Sequence, residues 1–173
     1  MQISAYHKAR GDEVSLNNPN NPHKVYISCI FKENRAQALG DATYYPDAEV
    51  IVGGSGINYN WLPEEMQNIK PDYSLYDGKI CQRCGRQVVY CNCKKGPKRG
   101  NMFYSIGFST RGCIRHCSFC IVHDKEGAFR KWHDIEFIHD PRHKVIKLLD
   151  NNILADEEHF FKVTDYILEH GLK

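Results

Sequence analysis

The chain has no run of 18 or more consecutive apolar residues, which excludes a hydrophobic membrane-spanning helix. Its first residues, Met1-Gln2-Ile3-Ser4-Ala5-Tyr6-His7-Lys8, contain no apolar signal core, so a cytoplasmic location is expected. An excess of one charge is also missing. The net charge is +2 over 173 residues, and that balance does not by itself select nucleic acid as a partner. There is no internal repeat or low-complexity tract, which sets aside solenoid and array architectures. The glycine spacing of a phosphate-binding loop is absent too. Gly53-Gly54-Ser55-Gly56 follows an apolar run, but Tyr59 stands where a third glycine would be needed, so a tight turn is expected.

Cysteine, by contrast, is abundant. There are eight, seven of them between residues 81 and 120. A reducing compartment disfavours disulfides, so this clustering points to metal. Cys29 stands apart, in the apolar run 25–31, and reads as a buried packing residue.

The length suits one domain or two small ones. Residues 1–10 carry small and apolar groups at helical spacing, and Gly11-Asp12 stops that helix. A short strand is predicted at 13–16 and a loop at 17–22, where Asn and Pro alternate. Strands follow at 24–31 and 48–52, with a short helix between them at 34–42. A helix at 63–69 and a last short strand at 72–76 complete the first region. Strands alternating with helices imply a parallel sheet, so residues 1–78 read as a small Rossmann- or flavodoxin-like α/β layer whose first strand is missing. Residues 79–100 have little apolar content and read as a knuckle or linker. Residues 101–173 return to α/β, with strands at 103–108 and 144–149 and a helix at 157–170 ended by Gly171.

The segment Gly112-Cys113-Ile114-Arg115-His116-Cys117-Ser118-Phe119-Cys120 follows the strand at 103–108 and has the spacing C-x3-C-x2-C. Three thiolates can ligate three irons of a four-iron cluster and leave the fourth iron open. Gly112 allows a tight turn before the first ligand. Arg111, Arg115 and His116 favour thiolates and offset the cluster's negative charge. Zinc is the rival, because His123 could join Cys113, Cys117 and Cys120 in a site of three cysteines and one histidine.

A strand followed by such a loop, with an aromatic just before the last cysteine, resembles the signature of the radical S-adenosylmethionine superfamily. The resemblance implies a [4Fe-4S] cluster on Cys113, Cys117 and Cys120 whose open iron chelates the methionyl moiety of S-adenosylmethionine. It implies reductive cleavage to a 5′-deoxyadenosyl radical, an electron donor such as flavodoxin or ferredoxin, and Phe119 beside the adenine. It also implies a partial TIM-like barrel in 101–173, with a polar patch at the end of its second strand for the methionyl amino group. That position is occupied by Asp150-Asn151-Asn152, where the family usually has Gly-Gly-Glu, so Asp150 and Asn152 are the cofactor-binding candidates. The alternative there is a polar loop and helix cap. Residues 24–76, including Val50-Ile51-Val52-Gly53-Gly54 and Pro71-Asp72-Tyr73, are similar to the N-terminal domain of the cobalamin-binding-type subclass. The D-x-H-x-x-G signature of cobalamin ligation is absent, so cobalamin is not expected. The family barrel needs more βα units than 101–173 can hold. The chain therefore reads as part of a longer enzyme, or as one whose partner supplies the rest.

A second group, Cys81-x2-Cys84 and Cys91-x-Cys93, places four thiolates within a short span. That suits a structural zinc, which would staple a segment with almost no core of its own. An auxiliary iron–sulfur cluster and unligated thiols are the alternatives. The tail of this group, Lys94-Lys95-Gly96-Pro97-Lys98-Arg99, could touch RNA phosphates or be a solvated linker. Two other functions compete with the radical enzyme. One is a zinc-binding cysteine-rich module that contacts RNA or protein, and the other is an iron–sulfur electron carrier.

Overall fold

The structure, a computed structural model, describes residues 1–17, 20–84, 86–88 and 91–173. Asn18 and Pro19 of the expected loop, and Gly85 of the knuckle, lie outside the described residues. In chain order the elements are α1 (Gln2–Lys8), β1 (Lys24–Ser28), α2 (Arg35–Ala42), β2 (Glu49–Gly53), α3 (Glu64–Gln67), β3 (Ile80–Cys81), β4 (Arg99–Gly100), β5 (Tyr104–Gly107), β6 (Thr110–Arg111), α4 (Val122–Glu126), β7 (Arg130–Lys131), α5 (Ile135–Ile138), β8 (Val145–Leu148) and α6 (Glu157–Glu169). The result is a mixed α/β chain with small two-stranded sheets. No described helix is long and apolar enough to cross a membrane.

The chain divides into two units, Ser15–Glu64 and Met1–Val14 with Glu65–Lys173. In the first, β1 and β2 pair in parallel, from Lys24 opposite Glu49 to Ser28 opposite Gly53, with α2 as the crossover. The 53–56 turn wraps the end of β1. Gly54 has φ +98°, and a Cβ there would lie 2.4 Å from the Cys29 carbonyl oxygen. The Cys29 N–H donates to Gly53 O, and the Gly56 N–H returns to Cys29 O at 2.9 Å. This glycine cluster therefore closes on its own chain as a turn. Cys29 is buried, as expected of a packing residue.

In the second unit β5 and β8 pair in parallel, Tyr104 opposite Val145 and Gly107 opposite Leu148. Ile135, Ile138, Ile146, Val163 and Leu172 form the core behind them. α6 begins where the Asp156 side chain accepts the His159 N–H. It ends at Gly171, φ +58°, where the Leu172 N–H reaches back to Ile167 O. Beyond it the Lys173 N–H donates to Lys144 O at 3.0 Å, while the Ile146 N–H donates to Lys173 O at 2.9 Å. That is the bonding pattern of a parallel neighbour, so the chain after α6 returns alongside β8.

Residues 72–76, expected as a strand, contain a 3₁₀ turn at Ser74–Tyr76. Asp72 Oδ1 accepts from both the N–H and the hydroxyl of Ser74, an Asx-type turn that competes with extended backbone. Residues 13–16 are irregular and pair with no described strand. α1 buries Ser4 rather than its apolar positions, because Ser4 Oγ donates to Asp72 Oδ2 at 2.6 Å. The expected boundary at residue 78 falls inside this unit. Tyr73, almost fully buried, accepts the Ile106 N–H and donates to Ile138 O at 2.8 Å, which ties 72–76 to β5 and α5.

Buried histidines line the same unit. Ser105 Oγ accepts the Asp140 N–H, so its own proton is free for His143 Nδ1 at 3.0 Å. Burial lowers the His143 pKa, against the pull of Asp140. A histidine kept neutral in the fold contributes stability that is full above about pH 6.5 and is lost as pH falls below it. The melting temperature should therefore decline from pH 7 to pH 5, and more shallowly in His143→Gln. Asp72, which burial pushes up but Lys8, Ser4 and Ser74 hold at about 2, acts in a separate window below pH 4. Thermal melts across both windows test this; an unchanged slope in His143→Gln would discount the assignment.

Candidate metal centres

The knuckle is built by β3 pairing antiparallel with β4, Ile80 opposite Gly100 and Cys81 opposite Arg99. The Cys81 N–H donates to Arg86 O at 2.7 Å, and the Cys91 N–H donates to Val88 O. These turns bring one ligand atom each from Cys81, Cys84, Cys91 and Cys93 within 4.8 Å of one another. The Cys81 and Cys91 sulfurs are 3.4 Å apart, and those of Cys84 and Cys91 are 3.8 Å apart. Burial pushes the Cys81 thiol up, but N–H groups of Arg83 and Lys98, the Cys91 thiol and the Cys84 N–H outweigh it and hold it at about 6. Cys93 is pushed up to about 12, first by its hydrogen bond with Cys91 and then by burial. The group therefore shares protons unequally until a cation displaces them. Four close cysteines of this kind could hold a metal ion.

The triad lies in the loop between β6 and α4, which follows shortly after the C-terminal end of β5. Cys113 and Cys120 are half-buried and Cys117 is exposed. The Arg115 N–H points at Cys113 Sγ at 3.4 Å. Among the described residues these thiols do not close, with His123, into a group tight enough for one ion. His123 Nε2 instead meets Arg115 O at 2.8 Å, and its ring stacks on His116 at 3.6 Å. Phe119 is 89% exposed.

The entry to this loop is held tightly. Gly112 has φ +75°, and a Cβ on it would lie 2.3 Å from Ala128 O, so the loop passes directly against the backbone after α4. Asp150, at the end of β8, accepts from the N–H and the hydroxyl of Thr110 on Oδ1 and from Ser109 Oγ on Oδ2. Ser109 and Thr110 are fully buried, and Ser109 Oγ also meets His159 Nε2 at 3.0 Å. One lone pair of Asp150 Oδ2 is left over. Asn152 opens the 3₁₀ turn at Ile153–Ala155 through its carbonyl, which accepts the Ala155 N–H.

Glu126 was not visible as a site residue in the sequence. It is 6% exposed, and all its partners are donors: the Gly112 N–H at 3.1 Å, Asn151 Nδ2 at 2.9 Å and Arg111 at 3.2 Å. Arg111 also lies over the Phe108 ring at 3.3 Å. Nothing in its local sequence, where it precedes Gly127, marks it as buried. Its burial arises because β6 pairs with β7, Arg111 opposite Arg130, and folds α4 back over the loop entry.

Comparison with protein-family models, curated proteins and solved structures finds no match.

A carboxylate accepts at both oxygens, whereas a carboxamide must turn an N–H toward one of the Glu126 donors. Glu126→Gln should therefore cost roughly 2 kcal/mol in denaturant unfolding and expose the Gly112 amide to hydrogen exchange. Gly112→Ala should be more damaging still, since neither φ nor the Ala128 carbonyl can give. Wild-type protection of the 109–112 amides in Glu126→Gln would show that the carboxylate does not hold the loop.

Proposed function

We propose that this chain carries the initiating site of a radical S-adenosylmethionine enzyme, with a structural zinc in the adjoining knuckle. The observation that carries the first part is placement. The segment Ser109–Thr110, just past the C-terminal end of the parallel strand β5, is braced by Asp150 at the same end of β8, and the C-x3-C-x2-C loop follows it directly after β6. Functional groups of βα barrels gather at such strand ends. The return of the chain alongside β8 after α6 extends the same parallel succession.

The donor set fits a cluster better than a single ion. Its three thiols share one short loop at the spacing that can ligate three irons, and Gly112 admits no side chain at the loop entry. Cys113, Cys117 and Cys120 would hold the [4Fe-4S] cluster, with the Arg115 N–H donating to Cys113. A cluster with one open iron supplies one-electron reductive cleavage of S-adenosylmethionine to a 5′-deoxyadenosyl radical, given a donor such as flavodoxin or ferredoxin. The exposed Phe119 ring offers a face for adenine. Asp150, with its remaining lone pair, and Asn152 stand at the strand end where the methionyl amino group is expected.

The knuckle geometry favours zinc over an auxiliary cluster. Sulfurs about 2.3 Å from a tetrahedral zinc lie about 3.8 Å from one another. The Cys84–Cys91 separation is 3.8 Å and Cys81–Cys91 is 3.4 Å. A closed four-thiolate site has no open position for a substrate, so its role is to staple residues 79–100.

Anaerobic reconstitution with iron and sulfide should give a brown protein with about four irons and one zinc per chain. Adding S-adenosylmethionine should perturb the electron paramagnetic resonance of the reduced cluster, and dithionite should then release methionine and 5′-deoxyadenosine. Cys117→Ala should lose the iron and keep the zinc, whereas Cys81→Ala with Cys84→Ala should do the reverse. A colourless protein binding zinc at the triad would exclude the radical reading.

A further inference from the structure

Six cations of the knuckle segment, Arg83, Arg86, Lys94, Lys95, Lys98 and Arg99, are exposed. Lys79, half-buried, is the seventh, and residues 79–99 contain no aspartate or glutamate. The rest of the chain then holds 16 Lys and Arg against 21 acids, a formal charge of −5 that the overall +2 conceals. Four thiolates with one zinc carry −2, which still leaves the segment at +5.

Six cations elsewhere in the chain are paired. Lys8, Lys24, Arg111, Lys131, Arg142 and Lys162 each sit beside a carboxylate. Among the described residues none of the seven knuckle cations does. The two that do bond meet neutral oxygens. Arg83 reaches Lys95 O and Gly96 O at 2.9 Å, and Arg86 reaches Asn92 Oδ1 at 3.3 Å.

The cations are also held in place. Arg99 lies opposite Cys81 in the β3–β4 pair, the Gln82 N–H donates to Lys98 O at 2.8 Å, and Arg83 pins the turn that carries Lys94 and Lys95. A solvated tail would hold its charges in no fixed arrangement, whereas this one is mounted on a four-cysteine frame.

The partner follows from what accompanies the charge. A membrane-surface element joins cations to inserted apolar groups, and a protein interface has an apolar or aromatic centre. The described residues of 79–99 expose no large hydrophobic side chain. Unpaired cations, with no exposed apolar anchor among the described residues, match a phosphodiester backbone. Phe103, 40% exposed just beyond β4, adds one ring face on which a base can stack.

We propose that the knuckle is a docking site for a nucleic-acid strand, gripped through its phosphates chiefly by Lys94, Lys95, Lys98 and Arg99. The site is separate from the triad and does not depend on its chemistry.

The test uses the full zinc-loaded chain and fluorescein-labelled 20-nucleotide single-stranded RNA, single-stranded DNA and duplex DNA, read by anisotropy between 50 and 200 mM salt. Binding should weaken with salt, at a log–log slope of about −0.7 per phosphate neutralised on a single strand. The RNA and DNA arms report whether the 2′-hydroxyl contributes. The variant K94E/K95E/K98E should bind at least about tenfold more weakly, with a slope shallower by about 2. The variant K32E/K70E/K144E makes the same change in net charge outside the segment and should bind like wild type. Zinc content reports whether the knuckle has folded. If the triple reversal loses zinc, K94Q/K95Q is measured in its place and should still flatten the slope. The proposal is overturned if no oligonucleotide binds at 50 mM salt, or if the charge-matched variant loses as much affinity as the knuckle variant. It is equally overturned if polyglutamate or phosphatidylserine vesicles compete as well as unlabelled RNA.

Discussion

Ser109, Thr110 and Gly112 are buried, and two carboxylates take their donors: Asp150 accepts the Ser109 hydroxyl and the N–H and hydroxyl of Thr110, and Glu126 accepts the Gly112 N–H. Burying these donors without acceptors would cost more than the loop's few apolar contacts could offset. Each carboxylate comes from a different element, Asp150 from the end of β8 and Glu126 from the last turn of α4. Asn151 joins the two by donating to Glu126. The loop that carries Cys113, Cys117 and Cys120 therefore leaves from a fixed point, although its own tip is exposed.

The knuckle solves the opposite problem. Among its described residues only Ile80 and Cys81 are buried, and its strands are two residues long. A segment of that size cannot offset its conformational entropy by burial, and a metal held by the four thiols would supply the constraint. A frame held by sulfur at its centre is free to carry charge on its outside. That freedom explains how seven cations are tolerated here without a carboxylate partner, while the histidine-lined region around β5 and β8 buries its polar groups in mutual hydrogen bonds.

Much of this organisation was legible in the sequence. Apolar runs separated by short helical stretches marked both parallel pairs, and Gly171 marked the end of α6. Cysteine spacing singled out both groups. Where the reading departed from the fold, a local hydrogen bond prevailed over an apolar pattern. Asp72 curls 72–76 into a turn, and Ser4, rather than Ala5 or Tyr6, becomes the buried face of α1 because it meets the same Asp72. The β6–β7 pair was not legible, because two-residue strands carry no periodicity.

Spacing alone determined that Cys81, Cys84, Cys91 and Cys93 could converge, because short segments leave their thiols little room to separate. It equally determined that Cys113, Cys117 and Cys120 share one loop. Only the tertiary structure decided what holds that loop. Glu126 lies 14 residues from Gly112, and Asp150 lies 40 from Thr110. The partnership of a buried carboxylate with distant donors depends on how strands pair and helices fold back, and no local pattern encodes that.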